Sequence, residues 1–191
     1  MSVMRQLRVL FAACLLVALV ACASQPVAPV RTAQVDLPRF TGSWYVIAMI
    51  PYFAERGNVE TRYEYSLKDD DTLQVKYWFK EGFDQPLQVR EAKASVHEDS
   101  ANRRWTLWFG GVVPAKFNIL EVAPDYSWAL INYPGRDMGW IFARSPTIDD
   151  ALYRQLVRKM RDYNINARQL VRVPQLPEQV GQPGFDTPEE P

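Results

Sequence analysis

Few side chains in this sequence are suited to covalent or acid–base chemistry. Among its 191 residues the one histidine, His97, is followed by Glu98 and Asp99 in a turn, a setting that favours a solvated imidazole over a general base. No serine stands in a Gly-x-Ser-x-Gly setting that would expose it as a nucleophile. The run Asp69-Asp70-Asp71 offers oxygen ligands of the kind calcium prefers. It lacks the glycine at the sixth position of a calcium loop and the distal glutamate, so no metal site is expected. The chain is therefore not expected to be an enzyme, and no cofactor is implied.

Cys22 does have a chemical setting. Arg5 and Arg8 precede an apolar run over residues 9–21, too short at about 1.5 Å per helical residue to cross a hydrocarbon core of roughly 30 Å, which reads as a signal peptide over residues 1–21. Its end, Leu19-Val20-Ala21-Cys22, resembles the lipobox of bacterial lipoproteins, whose cysteine becomes the acylated first residue; the alternative is an ordinary secretory signal with a chance cysteine. Cys14, the other cysteine, would leave with the signal, so the mature chain has no internal disulfide and depends on packing. The resemblance implies acylation with three chains, where one chain alone holds marginally. With Ala23 and Ser24 following, and no aspartate, it implies lipid anchoring in the outer membrane, on the periplasmic face. Residues 22–35 are small, Pro-containing and nearly uncharged, as suits a flexible tether. Residues 174–191 are Pro-rich and acidic and are expected to be a disordered tail.

The elements between these segments are strands. The chain carries 22 basic and 22 acidic residues, so no bulk field draws it to nucleic acid. Six Trp, nine Tyr and nine Phe fall in short runs bounded by turn residues, the composition of an all-β domain, here residues 36–173. From Trp44 the chain alternates Trp44, Val46, Ala48 and Ile50 against Tyr45, Ile47 and Met49, apolar on both faces, so this strand should be covered inside and out. Alternation then marks 59–67 and 73–80. In 87–96 either Leu87 and Val89 or Ala92 and Ala94 face inward, and a bulge could switch between them. Trp105, Leu107 and Phe109 define a fifth strand; Phe117, Ile119 and Glu121 a sixth; Ala129, Ile131 and Tyr133 a seventh; Met138, Trp140, Phe142 and Arg144 an eighth. Eight short-looped antiparallel strands have two raw edges unless they close, which predicts an eight-stranded antiparallel up-and-down barrel. Thr147 with Asp150 looks like a helix start, and Ile148, Leu152, Leu156, Met160 and Tyr163 recur at helical spacing, predicting one C-terminal helix packed outside the barrel. Leu170, Val171 and Val173 form a short ninth strand beside the first.

Gly42-x-Trp44 on the first strand, Asp125-Tyr126 before the seventh and Arg144 ending the eighth before a helix resemble the three signature regions of the lipocalin family. Glu55-Arg56-Gly57, Tyr65-Ser66-Leu67, Trp140-Ile141-x-x-Arg144 and Ser145-Pro146-Thr147-Ile148 are similar to its bacterial lipocalin and apolipoprotein D branch. Strand counting brings Arg144 beside Trp44 at the sealed end, where a guanidinium on an indole face is worth about 2 kcal/mol or more once desolvated. Gly42, Trp44 and Arg144 are thus expected to be structural. The loops 51–58, 80–86, 110–116 and 134–137 fall at the open mouth, with Phe53, Phe83, Val112 and Val113 as an apolar lip and Lys80, Lys116 and Arg136 as positive charge.

The inward face is then Tyr63, Tyr65, Tyr77, Phe79, Trp105, Leu107, Phe109, Phe117, Ile119, Ile131, Tyr133, Trp140 and Phe142. It suits either a cavity for a single-tailed amphiphile or a filled core, since large side chains can close a small barrel. The family resemblance implies fatty acids or lysophospholipids, stored or transported. Two other readings stay open: a structural or interaction lipoprotein whose tail contacts a partner, and an enzyme acting on lipid. A homodimer is also left open.

Overall fold

The structure, a computed structural model, describes residues 34–68 and 72–188. The signal peptide, Cys22, all but the last two residues of the tether, and the Asp69-Asp70-Asp71 turn lie outside the described residues.

A short helix, α1 (Leu37–Phe40), precedes the strands β1 (Gly42–Met49), β2 (Val59–Leu67), β3 (Leu73–Lys80), β4 (Gln88–Val96), β5 (Arg104–Phe109), β6 (Val113–Val122), β7 (Trp128–Asn132) and β8 (Gly139–Ala143). Helix α2 (Asp150–Asp162) and strand β9 (Val171–Arg172) follow. Each of β2 to β8 pairs with its sequence neighbour, β8 pairs with β1, and β1 returns to β2, so the meander closes as the sequence predicts. β1 can serve two neighbours because it bends: Gly42 to Tyr45 pair with β2, while Tyr45 to Met49 pair with β8.

That bend is a bulge between Val46 and Ala48, and it corrects the simple alternation expected along β1. Met49, not Ala48 or Ile50, joins Trp44 and Val46 in the interior. Ile47, Ala48 and Ile50 face outward, where Leu156 and Met160 of α2 and Ile165 cover them. Both faces of β1 are therefore dry. At about 25 cal/mol per Å² of apolar area, this second cluster is what attaches the helix. Gly139 allows the close approach, since a Cβ there would lie 2.6 Å from Met160 Cε. The helix begins one residue pair later than its sequence suggests: Asp149, not Thr147, caps it by accepting from the Leu152 N–H at 2.8 Å.

A second bulge, between Ile119 and Glu121, carries Glu121 off the inner face predicted for it. Outside, it accepts from Lys159 Nζ at 2.7 Å and from the Tyr163 hydroxyl at 3.1 Å. In β4 the ambiguity resolves without a register shift: Ala92 and Ala94 are buried and Leu87 and Val89 exposed. β6 begins at Val113, several residues earlier than the sequence suggests.

Residues 174–188 are not the disordered tail expected from their composition. β9 runs beside β1, and the chain then crosses the gap between the second half of β1 and β2. Pro174 O accepts from Glu60 N at 2.9 Å, and the buried Gln175 donates through Nε2 to Val46 O and Thr61 O. Further on, the Arg172 guanidinium carbon lies 4.5 Å from the Phe185 ring centre, and Asp186 Oδ2 accepts from the Gly57 N–H at 3.1 Å. Unpaired carbonyls at the seam favour such a partner over solvent, because a buried acceptor left without a donor is costly. Composition alone does not register these acceptors.

Candidate ligand cavity

The closed end is built before the cavity can exist. Residues 35–40 cross it: Val35 N donates to Ala101 O at 3.0 Å, and Asp36 N donates to the Tyr126 hydroxyl at 2.9 Å. Arg39 lies over the same Tyr126 ring at 4.2 Å, which accounts for the Asp125-Tyr126 region as a latch on the plug. Trp44 is fully buried and donates from Nε1 to Phe40 O at 2.8 Å. The Arg144 guanidinium carbon sits 3.8 Å from the Trp44 ring centre, and its two amino groups donate to Ser43 O at 2.8 Å and Arg39 O at 2.7 Å. Gly42, at φ +89°, is the residue that lets this happen, because a Cβ there would stand 3.3 Å from Arg144 Nη1. Half-burial lowers the Arg144 pKa through desolvation, and its carbonyl acceptors stand in for water.

Above the plug the aromatic rings divide. Phe40 packs on Tyr65 and Trp105 with centroids 5.4 and 5.3 Å apart, and Tyr65 and Trp105 meet at 5.5 Å, so this level is filled. Higher up, a cavity of about 420 Å³ opens among Tyr63, Tyr77, Leu107, Phe109, Phe117, Tyr133, Trp140 and Phe142. Those eight are among the thirteen inward residues expected from the sequence; Tyr65, Phe79, Trp105, Ile119 and Ile131 belong to the packed interior and do not line the space. The barrel is thus filled below and hollow above. Met138, Ala115 and Tyr52 complete the wall nearer the mouth.

Two side chains that line the cavity escaped sequence reasoning. Glu55, 4% exposed, folds inward from the loop after β1. Its Oε1 accepts from the Tyr63 hydroxyl at 3.0 Å and its Oε2 from Trp140 Nε1 at 3.3 Å. Burial pushes its carboxyl up to about 7, against the opposing effect of those two hydrogen bonds and of the positive charge on Arg90. Asn58 pins the same loop by donating to the Tyr77 hydroxyl at 3.2 Å. Burial also holds Tyr63 and Tyr77 well above the ordinary phenol range, so both keep their protons, and Tyr63 spends its proton on Glu55. A glutamate in a polar loop reads as exposed, and only the resemblance of Glu55-Arg56-Gly57 to a family motif marks it. The other missed residue, Arg90, shares the strand parity of Ala92 and Ala94, opposite Tyr77, and lies 4.7 Å over the Phe79 ring at the mouth. Its signal was the alternation in β4, legible once the register is settled.

The mouth charges are Arg90, Lys116 and Arg136, which border the cavity. Lys80, expected there, instead pairs with Glu60 at 3.0 Å beside the barrel. Of the expected lip, Phe53 is 87% and Val112 77% exposed, Val113 is exposed and borders the cavity, and Phe83 is half-buried. His97 stands in the turn after β4, exposed, with Nε2 3.0 Å from Thr106 Oγ1 and remote from the cavity lining. Among the described residues no group of three or more His, Cys, Asp or Glu is arranged to hold a metal ion.

This architecture recurs in known proteins. The chain is 31% identical over 160 residues to the outer membrane lipoprotein Blc of Escherichia coli K12, covering 81% of this chain and 88% of that one. It is likewise 31% identical over 150 residues to temperature-induced lipocalin-1 of Arabidopsis thaliana, covering 73% of this chain and 79% of the relative. Among solved structures, insecticyanin from the tobacco hornworm Manduca sexta superposes with a TM-score of 0.61 at 18% identity, over 82% of this chain and 87% of that one, which shows a shared fold. The lipocalin-like domain model matches residues 35–175, from the plug to the residue that closes the seam, and the chain belongs to the lipocalin family.

Proposed function

We propose that this protein is a lipid-binding envelope lipoprotein, anchored through an acylated Cys22, that stores or carries a single-tailed amphiphile such as a lysophospholipid or a fatty acid. The observation that carries this reading is the hollow upper half of the barrel, about 420 Å³, walled by Leu107, Phe109, Phe117 and Phe142 and bordered at its mouth by Arg90 and Arg136. An acyl chain among those rings gains affinity from area alone, at about 25 cal/mol per Å². An anionic head then remains at the mouth, where Arg guanidinium groups pair with phosphate or carboxylate. The largely aromatic and aliphatic wall supports a binding role. The anchor is supported by the lipobox-like Leu19-Val20-Ala21-Cys22 and by relatives named as outer membrane lipoproteins.

Titrating the protein with a lysophospholipid and with palmitate tests the site, because Trp140 in the cavity wall reports occupancy through its fluorescence. One saturable site per barrel is expected, with the lipid recovered unaltered by mass spectrometry. No saturable change with either lipid overturns the reading, and chemically altered lipid favours an enzyme. Labelling with radioactive palmitate tests the anchor: the wild-type protein is expected to take up label and sediment with membranes, and Cys22→Ser to do neither.

A further inference from the structure

The cavity wall contains one feature that an acyl chain does not need. Glu55 lines the space, is almost wholly buried, and has no Lys or Arg within ion-pair distance among the described residues. The groups that face it are the hydroxyl of Tyr63, the indole N–H of Trp140, and, acting at longer range, Tyr52, Tyr77 and Arg90. A carboxylate has about four lone-pair positions. Tyr63 and Trp140 fill one on each oxygen, so about two remain without a donor among the described residues. The same two contacts consume the donors of Tyr63 and Trp140, which would otherwise be free to greet an incoming anion.

Three chemical zones follow along the wall. Phe117 is deep, paired with Trp105 above the plug, and Leu107 and Phe142 are apolar neighbours on the same lining. Glu55 stands beside Trp140, toward the mouth end of β8. Arg136, in the turn between β7 and β8 and 5.0 Å over the Tyr133 ring, is at the rim. A ligand matched to this order has an apolar chain, then a hydrogen-bond donor, and only then any negative charge.

We propose that Glu55 is a specificity-determining residue: an acceptor inside the cavity that favours single-chain lipids carrying a hydroxyl or ammonium group next to the chain, and disfavours those that bring a carboxylate to that depth. This rests on the cavity being a lipid site. A hydrogen bond to a charged group contributes more than one between neutral groups, and a ligand without a donor leaves the carboxylate desolvated with its remaining positions unfilled. Raised by burial to about 7, the Glu55 carboxyl is mostly ionised at pH 8.5, the pH at which the preference is strongest.

A matched set of sixteen-carbon probes tests this at pH 8.5: 1-monopalmitoylglycerol, methyl palmitate and palmitate, each competing against an apolar fluorescent probe. Wild-type protein is expected to bind monopalmitoylglycerol about 10- to 100-fold more tightly than the methyl ester, the range for one hydrogen bond to a charged group. Glu55→Leu is expected to bring the two to within about threefold, and Glu55→Gln, which keeps an acceptor and adds a donor, to gain affinity for palmitate while staying folded. Equal affinities in the wild type, or a ratio unchanged in both variants, overturn the role of Glu55 while leaving a lipid site intact. Failure of all three probes to bind overturns the lipid reading itself and this inference with it.

Discussion

The side-chain amide of Gln175 donates to the carbonyl of Thr61 at 3.1 Å, joining the C-terminal segment to a strand more than a hundred residues earlier. The same nitrogen reaches Val46 O at 2.9 Å. It thereby spans the place where β1 leaves β2, which makes the last part of the chain a section of the barrel wall. Gln175→Leu removes the donor from two carbonyls at one buried seam and is expected to lower stability by about 2 to 6 kcal/mol, at roughly 1 to 3 kcal/mol for each polar group left unsatisfied. The shift of the urea midpoint at unchanged slope measures it. An effect below about 0.5 kcal/mol would mean that the seam is closed by backbone pairing alone.

The Arg144–Trp44 stack leads to a different expectation, because it lies beneath the cavity. Trp44→Ala removes a fully buried indole and is expected to cost roughly 3 to 5 kcal/mol. Arg144→Lys keeps the charge but not the planar fork that reaches Ser43 O and Arg39 O together, so a loss of about 1 to 2 kcal/mol is expected. Lipid affinity measured well below the melting temperature should stay within about threefold of wild type in Arg144→Lys. A large selective loss of binding would place the stack in the ligand site.

Glu55 gives the fold a pH dependence of definite sign. Its carboxyl is raised in the folded state to about 7 from an ordinary value of 4.5, so between these values the folded chain holds more protons than the unfolded chain. Below about pH 4.5 the group is protonated in both states and opposes nothing. As pH rises toward 7 the folded state progressively loses stability relative to Glu55→Gln, and above 7 the difference is constant. Two and a half pH units at 1.36 kcal/mol each set the full difference at about 3 kcal/mol. Urea melts of wild type and Glu55→Gln across pH 5 to 8 test this; parallel lines would show that water or a counter-charge keeps Glu55 ionised at no cost.

The legibility of this chain follows from what each feature depends on. Strand limits in β2 and β3 can be read from the sequence because one face is wet and the period of two is unbroken, and Arg144 can be placed beside Trp44 by counting reversals. In β1 both faces are apolar, so alternation cannot show that the bulge after Val46 exchanges Ala48 for Met49. The filled level around Phe40, Tyr65 and Trp105 and the hollow one around Phe109 and Trp140 are made of the same residue types. Only the plug's insertion from one end separates them. Glu55 and Gln175 share a third difficulty: each is a polar residue outside a strand whose burial depends on acceptors or donors contributed by distant strands. Local composition contains no trace of those partners.

Trp140 links the cavity to the ionisation of Glu55, and conservative substitution separates its two contributions. Its ring lines the space and its Nε1–H donates to Glu55 Oε2 at 3.3 Å. Trp140→Phe keeps most of the wall while removing the donor, one of the two hydrogen bonds that hold the Glu55 carboxyl down against burial. The Glu55 pKa is therefore expected to rise above 7, and the pH at which stability levels off should move up with it. Infrared spectroscopy of the protonated carboxyl band, with Glu55→Gln as the blank, locates that midpoint directly. Trp140→Ala loses the wall as well, and its lipid affinity should fall about tenfold or more, beyond the change in Trp140→Phe. An unmoved Glu55 midpoint in Trp140→Phe would mean that the indole contact is too long to act as a hydrogen bond, leaving Tyr63 as the carboxylate's one effective donor.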